Sequence, residues 1–109
     1  MPKLSVPEVY RSGIGDAESR ELFGSLLCNW KSETWHLSSI RRTISHPSYL
    51  KIIGMGREAL PYIFEDMRKE KSLWFWALEA ITRVELLPSS TSMDALHNAW
   101  LEWAEEHGY

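Results

Sequence analysis

Residues 52–82 read I-I-G-M-G-R-E-A-L-P-Y-I-F-E-D-M-R-K-E-K-S-L-W-F-W-A-L-E-A-I-T, and this stretch decides the fold class. In its first half Leu60, Ile63, Phe64 and Met67 recur at helical spacing, predicting a helix from about Arg57 to Glu70. Pro61 suits that helix only in its first turn, where a missing N–H removes no hydrogen bond. Gly54 and Gly56 close the segment before it, one of them in the left-handed conformation that ends a helix. Glu65 and Lys69 are four apart and are expected to pair on the exposed side. After Ser72, an expected cap, a second helix covers about Leu73 to Val84. Trp74, Ala77, Leu78, Ile81 and Val84 form its buried stripe, widened by Leu73, Trp76 and Ala80. Phe75 falls instead with Glu79, Thr82 and Arg83 on the polar side.

The rest of the chain has the same character. Leu22, Phe23, Leu26, Leu27 and Trp30 share one face of a helix over about Ala17 to Lys31, with Asp16 as its cap. Ser38 or Ser39 caps a short helix with Leu37, Ile40 and Ile44 inward, stopping before Pro47. Ser45 or His46 then caps a helix that has Pro47 in its first turn and Tyr49, Ile52 and Ile53 buried. Pro88 and a run of Ser and Thr break the chain before a last helix, capped by Ser92 and ended by Gly108. Met93, Leu96, Trp100 and Trp103 give that helix its apolar side. Residues 1–15 hold Pro2, Pro7, Gly13 and Gly15 without a sustained period. They are expected to form an extended arm ahead of a single helical domain over residues 16–109. No segment alternates with a period of two, so the expected fold is an all-α bundle of five or six helices.

Composition narrows the function classes. The chain has 109 residues, 44% of them hydrophobic and 25% charged, enough for one core. Six Trp are the outlier. Each buried ring contributes at most about 4–6 kcal/mol, so these rings can staple a small domain without disulfides. Rings of this kind also serve interfaces. A net charge of −3 argues against a dedicated nucleic-acid binder. One cysteine, Cys28, excludes an internal disulfide. No signal peptide and no apolar run of membrane-spanning length is visible, which points to the cytoplasm and away from a membrane.

Gly56, Ala59, Pro61, Ile63, Met67, Ala77, Ala80 and Ile81 together resemble one HEAT-type helical hairpin, spanning Gly56 to Val84. That resemblance implies paired helices and macromolecular binding rather than catalysis. A single copy implies a bundle holding one such pair, not a solenoid. H-P-S-Y-x-x-I-I-G-M-G with W-F-W-A-L is similar to small bacterial proteins of unassigned function, which implies a bacterial or phage origin.

Three function classes follow. The first is a non-enzymatic protein-interaction module: an adaptor, an inhibitor or a small subunit of a larger assembly, for instance in defence or a toxin–antitoxin pair. Its candidate anchors are Phe75, Tyr62 and Trp103, and homodimerisation through the last helix belongs to the same class. The second is a nucleic-acid-contacting regulator using the basic positions Arg41, Arg42, Lys51 and Arg57. The third is an enzyme with a His-centred site, which needs a carboxylate brought to His36 or His46 by the fold. The four histidines show no metal-ligand spacing, so no metal is expected. Gly54-Met55-Gly56 follows no strand and precedes no Lys-Ser/Thr pair, so no phosphate loop and no cofactor is expected either.

Overall fold

A computed structural model of the chain describes residues 16–86 and 92–109. It is an all-α bundle of six helices, with no strand among the described residues. The helices are α1 (Asp16–Thr34), α2 (Ile40–Ile44), α3 (Pro47–Gly54), α4 (Leu60–Lys69), α5 (Phe75–Thr82) and α6 (Met93–Glu106), with a 3₁₀ turn (Gly56–Ala59) between α3 and α4. The expected arm over residues 1–15, and most of the expected break before α6, lie outside the described residues. Helix α1 packs on α3, α3 on α5, and α4 on α6; the 3₁₀ turn touches α1, α3, α4 and α5.

Local chemistry sets most of these boundaries. Ser39 and Ser92 cap α2 and α6 by accepting from the N–H groups of Arg42 and Ala95. His46 caps α3, its Nδ1 accepting from Ser48 N–H at 3.0 Å, with Pro47 in the first turn. Gly56, at φ +71°, stands just past the end of α3 in the left-handed conformation. Helix α6 ends the same way at Gly108, φ +84°. There Gly108 N–H donates to Glu105 C=O and Tyr109 N–H to Ala104 C=O, satisfying two carbonyls the helix leaves open.

Helix α5 has no such local start. Its cap position is Trp74, whose side chain caps nothing, and Ser72 does not do the capping expected of it. A residue from another helix takes over. The Tyr49 hydroxyl, on α3, donates to Leu73 C=O at 2.7 Å and accepts from Ala77 N–H at 3.0 Å. Tyr49 thus satisfies an acceptor just before α5 and a donor in its first turn.

Trp74 sits at the centre of the aromatic core. Its ring lies 4.8 Å from Trp30, 5.6 Å from Tyr49 and 5.9 Å from Phe23, centroid to centroid. Trp74 Nε1 donates to Asp66 Oδ2 at 2.9 Å, and Lys31 Nζ donates to Asp66 Oδ1 at 2.7 Å. The buried carboxylate therefore has a partner on each oxygen, without which its burial would be costly. Trp30 Nε1 is satisfied by Thr43 C=O at 2.8 Å, tying α1 to α2. A second aromatic group joins α4 to α6: Phe64 packs against Trp103 and Tyr109, and Trp103 against Trp100.

The expected stripe of α4 is buried as read, but several other positions differ. Leu22, Ile40 and Met93 are exposed, each lying at the rim of its helix's apolar face. Glu65 and Lys69 form no ion pair; the cation that ties α4 to its neighbour is Lys31, bonded to Asp66 and Glu70. In α5 the roles of two adjacent rings are exchanged: Phe75 is buried and Trp76 is exposed.

Replacing Tyr49 by Phe keeps the ring and removes both hydroxyl bonds. It leaves Leu73 C=O and Ala77 N–H unsatisfied, and should lower stability by about 1–3 kcal/mol in urea unfolding. Burial also pushes the Tyr49 phenol well above the ordinary tyrosine value, with the Ala77 hydrogen bond opposing in part. Above that ordinary value the unfolded chain loses the proton while the folded chain keeps it. The unfolded state then binds fewer protons, so stability should fall as pH rises through the alkaline range, and this slope should vanish in Tyr49→Phe.

Candidate functional site

Two adjacent aromatic positions decide which face of α5 meets solvent. Trp74, Phe75, Ala77, Leu78 and Thr82 are buried, and Trp76, Glu79, Ala80 and Arg83 are exposed. Phe75 is 7% exposed and Trp76 41%. The burial of Phe75 removes the ground on which it was expected to anchor a partner. Trp103 is 9% exposed, held by Phe64, Trp100 and the ring of His107 stacked at 3.9 Å, so it too belongs to the core. Tyr62 is half-buried, packed against Phe23 and covered by the Arg20 guanidinium.

Beside Trp76 a groove of about 220 Å³ runs between α5 and α6. Phe75, Leu96 and Trp100 line it from the core side, and the exposed Trp76 and Met93 stand at its edge with Leu86 and Glu79. Among the described residues no ion pair involves Glu79 or Arg83. They are four apart, a spacing that favours pairing within a helix. Arg83, however, has φ +61° and ends α5 in the left-handed conformation, which turns it off the helix. Glycine or asparagine usually takes such a position.

A second groove, between α1 and α3, is lined by Leu22, Gly54 and Met55 with Glu18, Lys51 and Glu58. Lys51 therefore shares its groove with two carboxylates, an arrangement that weakens attraction for a phosphate backbone. Arg41 and Arg42 are exposed on the five-residue α2, and Arg57 is exposed in the 3₁₀ turn. Neither this groove nor a described hydrogen bond joins Arg41 or Arg42 to Lys51 or Arg57.

The histidines divide by environment. His46 has a carboxylate in reach, because its Nε2 bonds Glu33. Its Nδ1, however, is the acceptor that caps α3. The imidazole is thus held between a carboxylate and a backbone N–H, with no lone pair left to take a substrate proton. His107 Nδ1 donates to Trp103 C=O at the end of α6. His97 is 6% exposed, and its Nδ1 is buried without a hydrogen-bond partner. Among the described residues no three His, Cys, Asp or Glu side chains converge on a metal position. No helix among them is long and apolar enough to cross a membrane. Comparison with protein-family models, with curated proteins and with solved structures found no match.

The feature missed in the sequence is the Trp76 groove. The available signal was Ala80, four residues on from Trp76: a small residue beside Glu79 and Arg83 marks the open face as well as it fits a close-packed one.

Because His46 acts as a cap, its chemistry is replaceable. His46→Ala should cost about 1 kcal/mol of stability, and His46→Asp should recover most of it, since a carboxylate accepts the same N–H bond. Chemical unfolding of the three proteins checks this order.

Proposed function

We propose that this chain is a non-enzymatic protein-interaction module whose docking surface is the open face of α5 and its groove against α6. The observation that carries it is Trp76, 41% exposed at the edge of a groove whose inner side is the buried Phe75 and Trp100. Large aromatics in this setting, with an apolar centre and a charged edge, are the anchors that dominate protein interfaces. The two grooves differ in kind: the one between α1 and α3 is edged by three charged side chains, and the one between α5 and α6 by Glu79 alone. An adaptor or small subunit of a bacterial or phage assembly would use such a face.

The proposal replaces Phe75 with Trp76 as the anchor, and the two separate cleanly by mutation. Phe75→Ala should lower stability by roughly 3–5 kcal/mol, as for a buried ring. Trp76→Ala should cost about 1 kcal/mol or less and abolish partner capture in a quantitative affinity purification. Trp35, 81% exposed but outside this groove, is the control: Trp35→Ala should retain the partner. Equal capture by wild type and Trp76→Ala would rule the docking surface out.

A further inference from the structure

At about 220 Å³ the groove between α5 and α6 is smaller than the roughly 300–1,000 Å³ of small-molecule pockets, so it suits one or two side chains of a partner. Its floor is apolar, from Phe75, Leu96 and Trp100, and among the described residues its charged lining is Glu79 alone. Glu79 enters no ion pair among the described residues. Arg83 does not answer it: it lies past the end of α5 in the left-handed conformation, off the face that carries Trp76, Glu79 and Ala80. The surrounding charge is one-sided as well. Of the chain's 15 acidic and 12 basic side chains, residues 75–109, which supply both walls of the groove, hold six and one. Lys71 answers Asp94. Glu85, Glu102, Glu105 and Glu106 are exposed and enter no ion pair among the described residues.

We propose that the occupant of this groove is a basic amphipathic segment of another protein, which seats a bulky apolar side chain in the groove and pairs an arginine with Glu79. The inference rests on the docking role proposed above for the same face. Trp76 and Glu79 are three apart and both exposed, so they are neighbours on the surface of α5. A guanidinium that bonds the carboxylate can therefore also lie over the indole face. A purely apolar partner would cover Glu79 and leave its carboxylate desolvated without a counter-charge, whereas a cation satisfies it. The exposed acids of α6, with Glu85, add a field that attracts a basic segment and repels an acidic one.

Selection of a random peptide display library on the immobilised full-length chain tests the inference, with the affinity of each recovered peptide then measured by fluorescence polarisation. The recovered peptides should carry net positive charge, with an arginine close to a bulky apolar residue. Trp76→Ala should weaken them by roughly thirtyfold or more. Glu79→Gln should weaken them by roughly tenfold, with the larger loss at low salt. Replacing the peptide's arginine by glutamate should abolish binding to the wild type and restore it to Glu79→Arg. Far-ultraviolet circular dichroism should show all three variants folded, since both positions are exposed. Neutral or acidic peptides, or peptides unaffected by Glu79→Gln but lost in Trp76→Ala, overturn the basic partner and leave the face as a docking surface. Peptides that bind Trp76→Ala as well as the wild type, or a library that yields none, overturn the docking surface itself.

Discussion

The rotation of α5 is fixed by a hydroxyl that belongs to another helix. Tyr49 satisfies Leu73 C=O and Ala77 N–H where α5 has no cap of its own. Trp74, immediately before α5, is pinned by its bond to Asp66 and by the rings of Trp30 and Tyr49. With both constraints in place α5 cannot turn about its axis without breaking a buried hydrogen bond or opening the aromatic core. Phe75 is thereby carried inward and Trp76 outward. The surface proposed for docking is a consequence of how the core closes.

The same node makes the fold cooperative. Lys31 on α1 and Trp74 before α5 meet on the two oxygens of one α4 carboxylate. Tyr49 on α3 touches both Trp30 and Trp74. Four helices thus share one cluster in which each polar atom is satisfied by a partner from a different element. A half-satisfied version would leave a buried charge or an open amide, which explains why aromatic and polar groups are interlocked here rather than segregated.

How far the sequence could be read follows from the range of each interaction. Caps and terminators act within a few residues, so Ser92 and Gly108 were legible where they stand, Ser39, His46 and Gly56 were each narrowed to one of two positions, and the α4 stripe of Leu60, Ile63, Phe64 and Met67 was read in full. The face of α5 was not. Its eight residues include six that are apolar or small, so helical periodicity fits two rotations almost equally well. What separates them is a contact between residues 28 apart, Tyr49 and Ala77, which no local pattern contains. Ser72 looked like the cap because it stands next to the helix; Tyr49, 23 positions earlier, has no local mark of that role. Trp103 was read correctly on the apolar side of its helix, but its candidacy as an anchor fails for a related reason. The rings that bury it, from Phe64 and His107, come from another helix and from the turn after its own. The candidate basic surface was legible as exposed residues, but the carboxylates of Glu18 and Glu58 beside Lys51 appear only when α1 and the 3₁₀ turn come together.

Amide hydrogen exchange at Ala77 tests the trans-capping of α5 most directly. In the wild type the Ala77 amide should be protected, as should its neighbour Leu78, which bonds Trp74 C=O at 2.8 Å. In Tyr49→Phe the Ala77 amide should exchange faster by roughly tenfold or more relative to Leu78, because only the first has lost its acceptor. An Ala77 amide that exchanges freely in the wild type, or one whose protection is unchanged in Tyr49→Phe, would contradict the hydroxyl's role in setting the helix and the face it exposes.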